Sequence, residues 1–309
     1  MRVAVLFAGQ GSQYVGMGKD FYDTQNTSQQ LYDSISMDFD VKDVCFNGPL
    51  ETLNNTAYTQ SCILATSMSI YSCLLEKGIQ PEYVAGLSLG EYSALCAANV
   101  FSLQDGLEIV RKRGLIMANA LPAGTSKMVA VMNTDLALIE EACKEATKGD
   151  AICTIANYNS PVQIVITGNN EGVDAAVAYL KEKGVRRAIP LKVSGAFHSP
   201  LLEKASQELK EVLEKVEFRT PQIPVVYNVS GKEEEGNLVD LLTAQIKSSV
   251  RFYQSIEYMI EQGVDTFIEI GPGHTLSGLV KKTNKEVNVY SIDKVEDLEK
   301  MMEEWNHGK

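Results

Sequence analysis

The fold of this chain is decided by one stretch of sequence, Val84-Ala85-Gly86-Leu87-Ser88-Leu89-Gly90-Glu91-Tyr92. The apolar run 83–86 predicts a buried strand, and a helix is predicted over 89–98. The flanking glycines permit a sharp turn at Ser88, where two chain segments must pass close together. A serine on such a strand-to-helix turn is typical of a nucleophile elbow, at a helix N-terminus that favours an acyl-transfer oxyanion. Because small residues are common in turns, this match alone does not separate catalysis from chance.

Composition sets the broad class of protein. The 309 residues are enough for more than one domain, and 45% hydrophobic with 22% charged residues is typical of a soluble globular chain. No run of about 18 apolar residues is present, so no membrane span is predicted. The short apolar run near the N-terminus leads directly into a glycine-rich turn, and we expect a cytoplasmic protein. A net charge of −12 argues against nucleic acid as a partner.

Cysteine and histidine usage argues against a metal site. No C-x-x-C motif occurs, and most of the cysteines lie in apolar segments, so we expect buried thiols. They are Cys45, Cys62, Cys73, Cys96, Cys143 and Cys153. The three histidines, His198, His274 and His307, are not clustered with cysteines. We therefore predict neither a bound metal nor a bound cofactor.

Strands that alternate with helices predict an α/β fold with a mainly parallel sheet, as in a large α/β-hydrolase-like domain. The predicted strands are 3–7, 83–86, 223–228, 267–270 and 287–292. Between the second and third of these, the sequence has a βαββαβ rhythm that fits a small ferredoxin-like α+β domain. We predict a discontinuous large catalytic domain, residues 1–123 and 194–309, and an inserted small domain, residues 124–193.

Three further motifs accompany the serine stretch. They are Gly9-Gln10-Gly11-Ser12-Gln13, Val110-Arg111-Lys112-Arg113-Gly114 with Met117, and Gly195-Ala196-Phe197-His198-Ser199-Pro200. In this order and spacing, the four motifs resemble those of the malonyl-CoA:acyl carrier protein transacylases of fatty acid synthesis, and of the related acyltransferase domains of polyketide synthases. The resemblance covers essentially the whole chain. Family members often have proline where Ala8 stands and histidine where Leu87 stands, and neither difference removes a catalytic group.

The resemblance implies the catalytic roles position by position. Ser88 matches the acylated nucleophile and His198 its base, a residue whose ordinary pKa lies near working pH. Gln10 and the N–H of Leu89 match the oxyanion hole. In the family, the backbone carbonyl at the position of Arg251 holds the second ring nitrogen of the histidine, so no acidic third member is required.

The resemblance also implies how the substrate is held. Arg113 matches the arginine that binds the malonyl carboxylate, because a buried carboxylate needs a partner and guanidinium can offer two parallel hydrogen bonds. Gln60 matches a glutamine of the acyl pocket, and Asn157 matches an asparagine that lines the site. Phe197 resembles the malonyl-selective form of the histidine motif, since its ring would crowd an α-methyl group.

The implied activity is a two-step transfer of the malonyl group from malonyl-CoA to the phosphopantetheine thiol of an acyl carrier protein, through malonyl-Ser88. We expect a monomer with no bound cofactor. A free-standing acyltransferase that serves a polyketide synthase is an alternative with the same chemistry. A serine hydrolase of lipase or patatin type would need a late acid–histidine pair, and Asp265 with His274 makes a poor one. A third alternative is a non-catalytic module that docks a carrier protein.

The acidic charge of the chain raises the question of how an acidic carrier protein would dock. A local basic patch near the cleft is required, since mean charge alone predicts repulsion. We predict that Arg186 and Arg187 form it, because they enter the strand that returns to His198. Lys281 and Lys282 are the alternative patch.

Overall fold

The structure is a computed structural model that describes residues 1–191, 193 and 195–307. The strands are β1 Val3–Phe7, β2 Tyr83–Gly86, β3 Ser126–Met132, β4 Cys153–Ser160, β5 Gln163–Asn169, β6 Ala188–Pro190, β7 Val225–Val226, β8 Thr266–Ile270 and β9 Asn288–Ile292. The helices of the first half are α1 Lys19–Thr24, α2 Asn26–Asp33, α3 Val41–Asn47, α4 Leu50–Asn54, α5 Thr56–Glu76, α6 Leu89–Ala97 and α7 Leu103–Ala118. Those of the second half are α8 Leu136–Ala146, α9 Asn170–Glu182, α10 Glu203–Leu213, α11 Leu238–Gln245, α12 Phe252–Glu261, α13 Thr275–Thr283 and α14 Val295–His307.

The large sheet is parallel throughout, with strand order β7-β2-β1-β8-β9. The central strand β1 is buried along its whole length, as a continuous apolar run requires when helices cover both faces. The predicted α/β fold with a mainly parallel sheet is confirmed. Strand β7 is shorter than the predicted 223–228, because Pro224 has no N–H to donate and contributes only its carbonyl, to the N–H of Val84.

The smaller sheet is antiparallel, with strand order β4-β5-β3-β6. Its elements follow one another as βαββαβ, which is the predicted ferredoxin-like arrangement. Helices α8 and α9 cover one face and form a separate apolar cluster with it. The other face contributes Met128, Ala130 and Val165 to the core of the large sheet. The predicted boundary between 193 and 194 reaches Ser194, which with Lys192 lies outside the described residues, so the domain limits stay a prediction.

Two other sequence-based expectations concern the cysteines and membrane-spanning helices. All six cysteines are buried free thiols, as predicted. In the part of the chain that the structure describes, no helix has the length and apolar character needed to cross a membrane.

The turn between β2 and α6 is closely packed. A Cβ on Gly90 would lie 2.0 Å from the carbonyl oxygen of Phe7, and a Cβ on Gly86 would lie 2.0 Å from the carbonyl carbon of Gly90. Both contacts are with backbone atoms, which cannot rotate away. The first turn of α6 therefore rests directly on β1, and glycine at both positions is a steric requirement of the elbow.

We predict that Gly90→Ala lowers the free energy of unfolding by about 1–3 kcal/mol, the usual cost of overpacking a core. The matched control is Gly278→Ala on α13, where no atom beyond the neighbouring backbone of the same helix lies within 4 Å of an added Cβ. That helical position should gain roughly 0.5–1 kcal/mol. Urea denaturation of both variants checks the prediction, and equal effects at the two positions would contradict it.

Candidate active site

Ser88 lies on the turn after β2, at the carboxyl edge of the large sheet. Its backbone has φ 56° and ψ −101°, a conformation that residues other than glycine rarely adopt. This turn directs the side chain away from the sheet. The Ser88 Oγ lies 2.8 Å from Nε2 of His198, so the two residues that the sequence placed 110 positions apart form one hydrogen-bonded pair.

His198 is held by the end of helix α11. Its backbone N–H donates to the carbonyl of Ile246 at 3.0 Å, and its Nδ1 lies 2.9 Å from the carbonyl oxygen of Gln245. Because a carbonyl can only accept, Nδ1 carries the proton and Nε2 is free to accept from the Ser88 hydroxyl. The carbonyl end of a helix also carries partial negative charge, which favours a proton on the ring.

The prediction that Arg251 orients the histidine is wrong. Arg251 stands at the N-cap of α12, and its carbonyl accepts instead from the backbone N–H of Ser255 at 3.0 Å and from the Ser255 Oγ at 2.9 Å. A carbonyl at the start of a helix is taken up by the helix's own hydrogen bonds, whereas the carbonyl of Gln245 at the end of α11 has no intrahelical acceptor role left.

Burial keeps His198 neutral. Removal from water, and then the positive charge of Arg113, lower the pKa of His198 to about 4, while the Gln245 carbonyl acts in the opposite direction. A ring in this state is an unprotonated base at neutral pH.

Arg113 is fully buried beside the serine. Its Nη2 donates to the Ser88 Oγ at 3.1 Å and to Oε1 of Gln245 at 2.9 Å, and its Nη1 donates to Oε1 of Gln60 at 2.8 Å. Burial lowers the pKa of Arg113, and its guanidinium stacks over Tyr92 at 5.0 Å. The Nε atom is buried without a hydrogen-bond partner. Across the described residues, no carboxylate lies within ion-pair distance of this guanidinium.

A cavity of about 400 Å³ opens above the Ser88–His198 pair, between the two sheets. Its wall includes several of the residues that the sequence singled out, namely Gln10, Ser88, Asn157, Phe197 and His198, together with Met117 and Leu191. Gln60 and Leu89 are fully buried behind this wall. Leu89 opens α6, so its N–H is one of the first-turn amides without an intrahelical acceptor. The Gln10 amide nitrogen donates to Thr56 at 2.9 Å, so its hydrogen bonding to a ligand requires that contact to change.

The structure brings two residues into the site that sequence reasoning missed. Gln245 contacts His198, Arg113 and Ser88, whose carbonyl accepts from Nε2 of Gln245 at 2.9 Å. Asn228 bonds the backbone of the elbow. A polar residue that ends a predicted parallel strand was a signal for Asn228. No comparable signal existed for Gln245.

The two basic pairs lie outside this cavity. Arg186 and Arg187 line a separate shallow groove with Lys183, and they precede β6, which is followed by Leu191 in the wall of the cavity. The alternative pair is tied to its surroundings: Lys281 Nζ donates to the Val287 carbonyl at 2.6 Å, and Lys282 Nζ lies 3.4 Å from Gln163 Oε1. Over residues 1–191, 193 and 195–307, no group of three histidine, cysteine or acidic side chains is placed to hold a metal ion.

A half-buried serine on a sharp strand-to-helix turn, hydrogen-bonded to a buried histidine and beside the amides of a helix N-terminus, is the arrangement of an enzyme that transfers acyl groups through a serine ester. The chain belongs to the acyl transferase domain family, whose model it matches over residues 5–304.

Relatives agree with this assignment. The chain is 41% identical over 302 residues to a malonyl CoA-acyl carrier protein transacylase of Bacillus subtilis, covering 96% of this chain and 95% of that protein. A crystal structure of the Clostridium perfringens malonyl CoA-acyl carrier protein transacylase superimposes with a TM-score of 0.96 at 41% identity, covering 99% and 98% of the two chains. A malonyl-transacylase in complex with a type II polyketide synthase acyl-carrier protein matches with a TM-score of 0.94 at 37% identity, covering 98% and 100%.

We predict that the imidazole of His198 titrates near pH 4, well below the ordinary value of 6.5. In Arg113→Ala the midpoint should rise, because a neighbouring positive charge is removed, and it should stay below 6.5 because burial remains. Nuclear magnetic resonance of ring-labelled protein measures both midpoints. A wild-type midpoint at or above 6.5 would contradict the lowered pKa of His198, and an unchanged midpoint in the variant would contradict the contribution of Arg113 to it.

Proposed function

We propose that this chain transfers the malonyl group from malonyl-CoA to the phosphopantetheine thiol of an acyl carrier protein, through a malonyl ester on Ser88. The observation that carries the proposal is the buried guanidinium of Arg113. It lies 3.1 Å from the Ser88 Oγ, and no described carboxylate pairs with it. A buried positive charge beside a nucleophile, with an unpartnered Nε, suits a substrate that carries its own carboxylate. The names of the relatives supply the same substrate class.

In the first step, the Ser88 Oγ attacks the thioester carbonyl while Nε2 of His198 takes the hydroxyl proton. The oxyanion that forms lies at the start of α6, within reach of the N–H of Leu89 and of Gln10 once Gln10 leaves Thr56. The C–S bond then breaks, and the CoA thiolate takes the proton from His198.

In the second step, the carrier thiol gives its proton to Nε2 of His198 and its sulfur attacks the malonyl ester. The Ser88 Oγ leaves and recovers the proton, so the enzyme is regenerated. Both steps use the same base and the same oxyanion donors, and neither is routed through a metal or an organic cofactor.

Selectivity follows from charge and shape. Malonyl offers a carboxylate to Arg113, whereas acetyl leaves the guanidinium without an anionic partner. The ring of Phe197 lines the cavity and is 7% exposed, which supports the proposal that it crowds an α-methyl group. Methylmalonyl should therefore be a poorer substrate than malonyl.

We place the reaction in fatty acid synthesis in the cytoplasm, with the chain acting as a monomer. Service to a polyketide synthase is the second candidate, and the match to a malonyl-transacylase solved with such a carrier protein favours it. The hydrolase alternative is weaker. Asp265 Oδ1 accepts from Arg2 and Thr266, and His274 Nδ1 contacts Ser291, so these two residues do not form a dyad.

Docking of the carrier is assigned to Arg186 and Arg187. Both lie just before β6, and Leu191, just after this strand, lines the catalytic cavity. A carrier bound there would have its long phosphopantetheine arm directed along β6 towards Ser88. Local basic charge of this kind guides an acidic partner in spite of the net charge of −12.

We predict that Arg113→Ala loses malonyl transfer far more than acetyl transfer. Loss of one side of a buried charge pair costs roughly 3–5 kcal/mol, or about 10²–10⁴ in rate, and acetyl never forms the pair. The ratio of kcat/KM for malonyl-CoA to that for acetyl-CoA is the measurement.

Two variants complete this experiment. Arg111→Ala is the matched control, because Arg111 lies on the same helix but pairs with Asp38 at the surface and should leave the ratio unchanged. Ser88→Ala should show no malonyl mass increase in intact-protein spectra. If kcat/KM falls equally for both substrates in Arg113→Ala, that residue has a structural role. If Ser88→Ala still gains the malonyl mass, Ser88 is not the nucleophile.

For the docking patch, we predict that changing both Arg186 and Arg187 to Glu raises KM for the carrier protein and leaves acylation of Ser88 by malonyl-CoA unchanged. The salt dependence of the transfer step should become flatter, because there is less attraction for salt to screen. Reversal of Lys281 and Lys282 serves as the comparison. If that second variant alone weakens the carrier interaction, the patch lies at α13 instead.

A further inference from the structure

Asn228 occupies the carboxyl edge of the large sheet, two residues beyond β7. Because β7 and β2 are parallel neighbours, the residues that follow each strand meet at the same edge. This places the Asn228 side chain against the Ser88 turn. Asn228 is 1% exposed, and it is not in contact with the catalytic cavity.

The side chain of Asn228 bridges the two sides of the elbow. Its Oδ1 accepts from the backbone N–H of Ser88 at 2.7 Å, and its Nδ2 donates to the backbone carbonyl of Gly86 at 2.7 Å. The orientation of the amide is fixed by these partners, since an N–H can only donate and a carbonyl can only accept. One planar group thus satisfies the two backbone groups on either side of Leu87.

Asn228 is itself anchored. Its backbone N–H donates to Oε2 of Glu91 at 2.6 Å, and its carbonyl accepts from the N–H of Arg251 at 2.8 Å. Glu91 is in the first turn of α6 and is also 1% exposed. The elbow is therefore tied to Asn228 both before and after Ser88.

The backbone of Ser88 is held by hydrogen bonds to two side chains. Asn228 accepts from its N–H, and Nε2 of Gln245 donates to its carbonyl at 2.9 Å. The conformation so held, with φ 56°, is unfavourable for serine in an unconstrained chain. Relaxation of this turn would move the Oγ away from Nε2 of His198, now 2.8 Å distant.

We propose that Asn228 is a positioning residue for the reaction, which holds the Ser88 turn in the conformation that points the hydroxyl at His198. This inference rests on the proposed role of Ser88 as the nucleophile. Asn228 lies beneath the turn and makes no contact with the cavity, so its effect falls on the rate of acylation and not on the binding of malonyl-CoA.

The test is single-turnover acylation by malonyl-CoA, followed by intact mass, for Asn228→Leu and Asn228→Ser. Leucine keeps the size and removes both hydrogen bonds, and serine is a smaller polar alternative that cannot bridge both partners. We expect the maximal acylation rate to fall about 10²-fold, the scale of a misplacement of about 1 Å. The malonyl-CoA concentration at half-maximal rate should stay within about twofold of wild type, since Arg113 and the cavity are unaltered.

The matched control is Asn169→Ala. Asn169 caps α9 in the smaller sheet's half of the chain, where its side chain bonds three backbone groups: the N–H of Ile152, the N–H of Gly172 and the carbonyl of Asp150. It should lose thermal stability and keep the wild-type acylation rate. Rates are normalised to the folded fraction from thermal melts, so partial unfolding does not imitate a catalytic loss.

The outcomes separate the two proposals. A wild-type maximal rate in the Asn228 variants would overturn the positioning role, and so would a loss confined to the half-saturating concentration. An equal loss of rate in Asn169→Ala at equal loss of stability would do the same. If Ser88→Ala still gains the malonyl mass, the nucleophile assignment fails, and this result is distinct from any outcome for Asn228.

Discussion

The sharp turn at Ser88 is the constraint on which the rest of the site depends. Helix α6 must start directly against β1, and only the absence of side chains at Gly86 and Gly90 allows the two backbones to approach this closely. Because of this close packing, the serine lies at the carboxyl edge of a parallel sheet, beside the first-turn amides of a helix. Side chains from the segment after β7, from α7 and from the end of α11 then converge on Ser88, and the first of them does so because β2 and β7 are parallel neighbours that end at the same edge.

The end of helix α11 orients the catalytic histidine, a role that a carboxylate has in many serine enzymes. Its last carbonyls fix the ring of His198 through Nδ1 and through the backbone N–H. An acid at this position would raise the pKa of the histidine strongly, whereas a helix terminus supplies only a partial charge. The ring thus remains an unprotonated base in spite of its orienting contact, with a pKa of about 4 set by burial and by Arg113. The same guanidinium therefore lowers the pKa of His198 and is the group that we propose for binding the substrate carboxylate.

Within the described residues, the buried guanidinium of Arg113 has no ion-pair partner. Glu91 lies close enough to Arg113 for their charges to interact, and burial raises the pKa of Glu91 to about 7. No ion pair joins the two, and Gln245 and Gln60 supply neutral oxygens to the guanidinium instead. Neutral partners satisfy hydrogen bonds without cancelling charge, so the positive field remains available to an anionic substrate.

The sequence by itself determined the strands of the large sheet, the βαββαβ order of the smaller one, the serine elbow and the family motifs. These are local signals: apolar runs, glycines around Ser88, and the fixed spacing of residues such as Arg113 and His198. Only the tertiary structure decided which groups meet. It replaced the carbonyl of Arg251 by that of Gln245, and it brought Asn228 under the elbow. Both partners come from segments more than 100 residues away from Ser88, and which backbone atom of a distant segment faces a side chain depends on helix ends and strand order, which no local pattern encodes.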